Sequence, residues 1–162
     1  YNFPYVLKGQ LSGKNQSYKK EYDMIKWYVN KKWFMSWCKG MTGFPIIDAA
    51  MKQLNTIGFM HNRCRMIVAS FLMKDMHIHY TEGEKYFATK LVDYDPMSNS
   101  GGFQWCASSG TDAQPYFRIF NPWTQQKKFD NQCEYIKKFL PELEKVPSKD
   151  LHNWHMPEVH KK

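Results

Sequence analysis

The chain has 162 residues, 43% of them hydrophobic, which is enough for one core and demands no second domain. Lys and Arg outnumber Asp and Glu by 23 to 15, and the formal charge of +8 favours polyanionic partners such as nucleic acid or an anionic membrane face. The cysteines at 38, 64, 106 and 133 lack metal-ligand spacing, so a metal site is disfavoured and reduced, intracellular thiols are expected. No apolar run reaches the length of a membrane span, and no signal segment opens the chain, so a soluble protein of the nucleus or cytoplasm is expected. The first residue is Tyr1, as in a fragment of something longer.

Residues 1–16 mix Pro, Gly and polar side chains and read as a loop or tail. Apolar residues at three-to-four spacing predict a helix over 17–37, closed by Gly40 and Gly43. Pro45 suits a first helical turn, and Ile47, Ala50, Met51, Leu54 and Ile57 mark one buried face before Gly58. The pattern predicts a further helix over 60–79, on which Asn62, Arg63 and Met66 share a stripe. Thr81 and Glu84 have the spacing of a capping box, which predicts a helix to about Val92. Pro96 excludes helical geometry at Asp95, so a turn is expected there, and Gly101, Gly102 and Gly110 suggest a loop that approaches something closely. A short helix is expected near 133–140, then a polar tail. No alternating strand pattern is present, and the fold class expected is all-α with long ordered loops.

Two constellations carry chemistry. Asp93 and Asp95, with Arg65 on the preceding helix, read either as an ion-pair network stapling a turn or as acceptors for the hydroxyls and amino groups of a cofactor. Asn62, Arg63, Met66, Trp105 and Arg118 read either as an exposed helix face plus a core Trp, or as a nucleic-acid site. In the second reading Arg pairs with phosphate, Trp stacks on an extruded base and Met offers a polarizable surface. The histidines receive no role, and no Ser or Cys has the context of a catalytic nucleophile.

The stretch WCKGMTGFPIIDAAMKQLNTIGFMHNRCRMIVASFLMKD, followed by GEKYF, LVDYDP, NSGGFQW and GTDAQPYFRIFNP, resembles the FAD-binding helical domain of the DNA photolyase and cryptochrome family. The resemblance implies a partial FAD-binding domain over 17–154, incomplete at both ends, with a polar tail at 155–162. It implies FAD as cofactor and damaged DNA as partner. The activity implied is deoxyribodipyrimidine photo-lyase: splitting of cyclobutane pyrimidine dimers by an electron from photoexcited reduced FAD.

Position by position, Asp93, Tyr94 and Asp95 fall where the family holds FAD, Arg65 where an Arg pairs with that acidic loop, and Asn99 opposite the flavin N5. Asn62, Arg63 and Met66 match the lesion pocket, and Trp105 matches a Trp that stacks on the flipped dimer. Arg118 and Gln125 match the stretch that meets the DNA backbone. Asn62 with Met66 is similar to the class I cyclobutane-dimer enzymes. Trp27, Tyr80 and Phe103 fall at the three positions of an electron relay, where Phe103 is hard to oxidise. The motifs that hold the antenna chromophore and the FAD phosphates are not among those matched, so another polypeptide or the rest of a longer chain is expected to complete the site. The alternatives are a cryptochrome-like blue-light photoreceptor and a flavin-free basic DNA-binding remnant.

Overall fold

Caps and prolines, more than apolar periodicity, decide where the helices of this chain start. The computed structural model describes residues 24–110 and 118–156. The predicted tail at 1–16, the tail predicted at 155–162 from residue 157 onward, and the start of the helix predicted from residue 17 lie outside the described residues. Within them the secondary structure is helical, without a strand, as the all-α expectation required.

Helix α1 spans Lys31–Lys39. The Asn30 Oδ1 accepts from the Trp33 N–H at 3.0 Å and so fixes the start, while Gly40, at φ 63°, ends the helix in the left-handed region. The predicted helix is therefore corrected: residues 25–30 are not helical, and the Tyr28 N–H is taken by the His77 carbonyl at 2.8 Å. Helix α2, Pro45–Ile57, runs as predicted from Pro45 to the left-handed Gly58. Asp48 anchors the preceding turn by accepting from Thr42 N (2.7 Å), Thr42 Oγ1 (2.6 Å) and Gly43 N (2.8 Å). Ile47, Ala50, Met51 and Leu54 are buried, whereas Ile57, expected on the same face, is 51% exposed.

The helix predicted over 60–79 is shorter and of two kinds. Helix α3 spans Asn62–Ser70 and passes into a π-helical turn, Phe71–Asp75, closed by Met76 N–H donating to Phe71 O at 3.1 Å. Helix α4, Tyr80–Lys90, begins earlier than the capping box would place it: the His79 side chain, and not Thr81, is the cap, its Nδ1 accepting from Thr81 N at 3.2 Å. The helix stops at Lys90, and Val92 N–H pairs with the Gly58 carbonyl.

The largest correction concerns 96–106, expected as turn and glycine loop. Pro96 opens helix α5, Pro96–Cys106, because a helix needs no N–H at its first position, and Asp95 caps it by accepting from Ser98 N at 2.7 Å. Gly101 and Gly102 are helical. Helices α6 (Pro122–Phe129), α7 (Glu134–Phe139) and α8 (Ser148–His152) follow, with a 3₁₀ turn at Pro141–Leu143. Asp130 receives the Tyr135 and Ile136 N–H groups at 3.1 and 2.9 Å, which starts α7. His152 ties α8 down: its Nε2 faces the Asn131 carbonyl at 2.8 Å and so carries the proton, leaving Nδ1 to accept from Gln126 Nε2 at 3.1 Å.

Helix α2 is the centre of the packing, against α1, α3 and α7, and α5 packs on α3 and α4. Trp37, Ile47, Met51, Leu54, Leu72, Phe87, Ile136 and Leu151 are each less than 2% exposed. Burying each such side chain contributes about 1.5–3 kcal/mol. Trp37 buries its one polar group with a partner, Nε1 donating to Val68 O at 3.0 Å. This core fixes α3, α4 and α5 as three walls around one opening.

Candidate functional site

The opening is a cleft of about 320 Å³, at the lower end of the size of ligand sites. Helix α3 contributes Asn62, Arg65, Met66 and Ala69 to it. Helix α5 and its cap contribute Asp95, Ser98, Asn99, Gly102, Phe103 and Cys106, and Phe87, Leu91 and Asp93 complete the wall. The α5 residues recur at intervals of three and four, one face of a helix. That stripe was readable, but the adjacent glycines made the segment look like a loop, so Ser98, Gly102 and Cys106 were missed.

Arg65 and Asp93 form the charged edge. The Arg65 guanidinium donates one N–H to Met60 O at 2.6 Å, and its terminal nitrogen lies 3.0 and 2.8 Å from the two Asp93 oxygens. The stapling ion pair therefore exists, and it leaves Asp95 out. Hydrogen bonds from Ser98 hold the Asp95 carboxyl below its usual range. Asn99 spends one of its two amide hydrogens on the Glu84 carbonyl, Nδ2 to O 3.1 Å, which leaves Oδ1 as an acceptor. Glu84 is pushed up by burial, opposed by a hydrogen bond with Ser100. The deeper wall is apolar. Phe103 is 3% exposed and meets Phe87 edge-on at 5.0 Å. The Cys106 thiol is pushed up to about 12 by burial and stays protonated. Met66 Sδ lies 3.7 Å from Asn62 Nδ2.

Seven residues singled out from the sequence thus meet: Asn62, Arg65, Met66, Asp93, Asp95, Asn99 and Phe103. The others do not line the cleft. Arg63 leaves the stripe it was expected to share and lies over the Phe129 ring at 4.7 Å. Trp105 is half-buried and stacks with Phe120 at 6.4 Å. Tyr94 and Arg118 are exposed, and Gln125 is half-buried on α6. Trp27 and Tyr80 are joined by an intervening ring: Trp27 meets His79 at 5.2 Å and His79 stacks on Tyr80 at 4.5 Å.

The cleft fits a planar heteroaromatic group with a polar edge. Gly102 lies on its wall, and a Cβ built there would meet nothing within 4 Å, so the bare backbone faces open space. Two carboxylates can accept hydroxyl or N–H donors, and the Asn99 carbonyl can accept one more. Arg65, Asp93, Asp95 and Asn99 could make the polar contacts to such a group, and Phe103 and Met66 its apolar walls. Among the described residues, no group of three or more His, Cys, Asp or Glu could hold a metal, and no helix is long and apolar enough to cross a membrane.

A family model for the FAD binding domain of DNA photolyase matches residues 2–162. The chain is 56% identical over 130 residues to a deoxyribodipyrimidine photo-lyase of Escherichia coli, covering 80% of this chain and 28% of that protein. It is 52% identical over 147 residues to one of Vibrio cholerae, covering 86% and 31%. Among solved structures, a class III photolyase from Agrobacterium tumefaciens superposes with TM-score 0.85 at 49% identity, over 88% of this chain and 30% of that one. An archaeal photolyase from Sulfolobus tokodaii with two FAD molecules gives 0.82 at 49%, over 86% and 32%. A Synechocystis cryptochrome gives 0.79 at 38%, over 85% and 29%. The chain therefore spans less than a third of the length of these relatives.

Proposed function

Since the chain belongs to the family of FAD-binding domains of DNA photolyases, we propose that it supplies part of the flavin and lesion site of a light-driven DNA repair enzyme acting on cyclobutane pyrimidine dimers. The observation that carries this reading is the cleft itself, where the Arg65–Asp93 pair, the Asp95 cap, Asn99 and the open backbone of Gly102 converge. Reduced FAD, when bound, supplies one electron to the dimer on blue-light excitation and takes it back after the ring splits.

The chain's own groups do the rest. Arg65 holds Asp93 in place, and Asp93 and Asp95 accept hydroxyl and N–H donors of the cofactor, flanked by Tyr94. Asn99 Oδ1 accepts a flavin N–H, which favours the neutral or fully reduced state over the oxidised one. Asn62 and Met66 touch the extruded dimer, and their pairing supports a class I reading. Trp105 stacks on the dimer from a position beside the cleft, a base inside a duplex being out of reach until it is flipped. Gln125 and Arg118 contact the backbone. The Phe103 ring is hard to oxidise, so light-driven reduction of the flavin through Trp27, Tyr80 and Phe103 is weak, and the reduced state is supplied chemically. The rest of a photolyase-length protein, in the same or a separate polypeptide, completes the cradle.

Likeness to a cryptochrome at 38% identity supports the second reading, a blue-light photoreceptor of the same cleft. The deciding experiment is purification after expression with excess FAD, then illumination with an oligonucleotide carrying one dimer, alone and with a polypeptide supplying the remaining length. Flavin uptake with loss of the dimer supports repair; flavin uptake without repair supports the photoreceptor. No flavin under either condition, with DNA still bound, leaves only a flavin-free DNA-binding remnant.

A further inference from the structure

The end of α3 and its π-helical turn carry two polar side chains, Ser70 and Lys74, that take no part in the flavin or lesion contacts. They stand four residues apart and so project to the same side of the helix. Ser70 is 1% exposed and Lys74 is half-buried. Burial pushes the Lys74 ammonium below its ordinary range, which makes a hydrogen-bond partner matter to it. One such partner is the Ser108 hydroxyl, Nζ to Oγ 3.0 Å.

Ser108 sits in the reversal that closes α5. Its φ of 68° lies in the left-handed region, which a serine keeps only when its surroundings hold it there. Its N–H donates to Trp105 O at 3.1 Å, and the Ser109 and Gly110 N–H groups both donate to Gln104 O at 3.0 Å. The reversal closes so tightly that a Cβ on Gly110 would lie 2.8 Å from the Trp105 nitrogen. The backbone of Trp105 is thus wrapped by residues 107–110, and Lys74 ties that wrapping to the neighbouring helix. Ser70 holds the ring's stacking partner. Its Oγ accepts from Phe120 N at 3.4 Å, and the Phe120 ring stacks with Trp105, 6.4 Å between centroids and 30° between planes.

We propose that Lys74 and Ser70 are positioning residues for Trp105, Lys74 setting its backbone through Ser108 and Ser70 setting the Phe120 ring on which it stacks. This rests on the reading above in which Trp105 stacks on the extruded dimer. Neither residue touches the dimer. They hold the Trp105 ring at one angle before the dimer arrives, so that its stacking is not offset by the ordering of a loose side chain. The gain falls on damaged DNA alone, because the bases of an intact duplex stay in their stack.

The test labels the six Trp with fluorotryptophan and follows Trp105 by fluorine NMR, its resonance assigned by its loss in W105A. The same proteins, with a polypeptide supplying the remaining length, are titrated with a duplex carrying one pyrimidine dimer and with the intact duplex. K74M and S108G each remove the contact between Lys74 and Ser108. Glycine suits the left-handed backbone better than serine does, so the melting temperature of S108G should not fall. Both variants are expected to shift or broaden the Trp105 resonance. Both should also lower the ratio of damaged to intact affinity by about fivefold, the low end of what losing a whole base–aromatic stack costs. S70A is expected to act in the same direction and less strongly, its bond to Phe120 being the longer one.

A Trp105 resonance that stays in place in both K74M and S108G overturns the inference. So does a melting temperature that falls in K74M while the affinity ratio keeps its wild-type value, which would make the contact structural only. If the resonance moves but W105A itself leaves the ratio at the wild-type value, the reading of Trp105 as the stacking platform fails and its positioning by Lys74 stands.

Discussion

Gly102→Ala should make the protein more stable and worse at holding its flavin. Gly102 lies inside α5, where an alanine is better than a glycine by about 0.8–1.0 kcal/mol. Nothing lies within 4 Å of the Cβ it would gain, so no packing cost offsets that benefit. For a chain of this size the melting temperature of the flavin-free protein should rise by about 2–4 °C. The same methyl projects into the cleft where a planar ring is to lie. Overpacking of this kind costs about 1–3 kcal/mol, a weakening of FAD binding of roughly 5- to 150-fold.

Gly83→Ala is the matched control, on a helix that faces the same wall. There the added Cβ would lie 2.5 Å from Phe103 Cε1 and 2.6 Å from Leu72 Cδ2, so the overpacking cost exceeds the gain in propensity and stability should fall. Thermal unfolding without flavin and flavin titration of both variants decide the matter. A Gly102→Ala protein that binds FAD as tightly as wild type would show that the flavin ring does not lie on this face of α5.

Phe103→Trp should raise the rate of light-driven flavin reduction in the presence of an external thiol, and transient absorption showing no gain would remove Phe103 from the relay. Asn99→Asp should change which flavin redox state persists in light and air; an unchanged visible spectrum would place Asn99 away from the flavin. Trp105→Ala should lose about 1–3 kcal/mol of lesion binding through lost stacking, read as a ratio of affinities for damaged and intact DNA. Asp95 gives a pH signature. Its carboxyl is depressed in the folded chain, so its stabilising effect is present above the unfolded value and lost as pH falls through the folded one. Below roughly pH 4 the melting temperature of wild type should therefore fall more steeply than that of Asp95→Asn, whose amide still caps α5. Parallel curves would mean that the Asp95 charge does not stabilise this helix.

Legibility followed the kind of signal each element carries. Helix α2 was readable because Pro45, an apolar stripe and Gly58 all agree. Helix α5 was not, because Pro96 reads equally well as a stop or a first residue, and two glycines lower helix propensity without forbidding a helix that packs on α3 and α4. The caps His61 and His79 were illegible because histidine is a poor cap by composition, and its role here depends on which ring nitrogen carries the proton. In the cleft, the pairing of Arg65 with Asp93 could be anticipated from opposite charges near two helix ends. The departure of Arg63 could not, since its partner Phe129 is 66 positions away and carries no complementary charge.

The π-helical turn at Phe71–Asp75 has a further meaning for the length of the chain. Phe71, Leu72 and Met73 are consecutive and all buried. They follow Ile67, Val68, Ala69 and Ser70, which are buried in the regular helix before them, so the chain is enclosed on more than one face here. The wide turn absorbs one residue of surplus and so keeps the angular phase of everything that follows, His79 and Tyr80 included. For the path of the chain, side-chain identity at these positions is therefore secondary to their number. Deleting one residue of the five would let the segment relax to a regular helix with the next element kept in phase, whereas adding one would swing that element by about a quarter of a revolution. The Trp27–His79–Tyr80 ring series would then part from the rest of the structure with every residue in it unchanged.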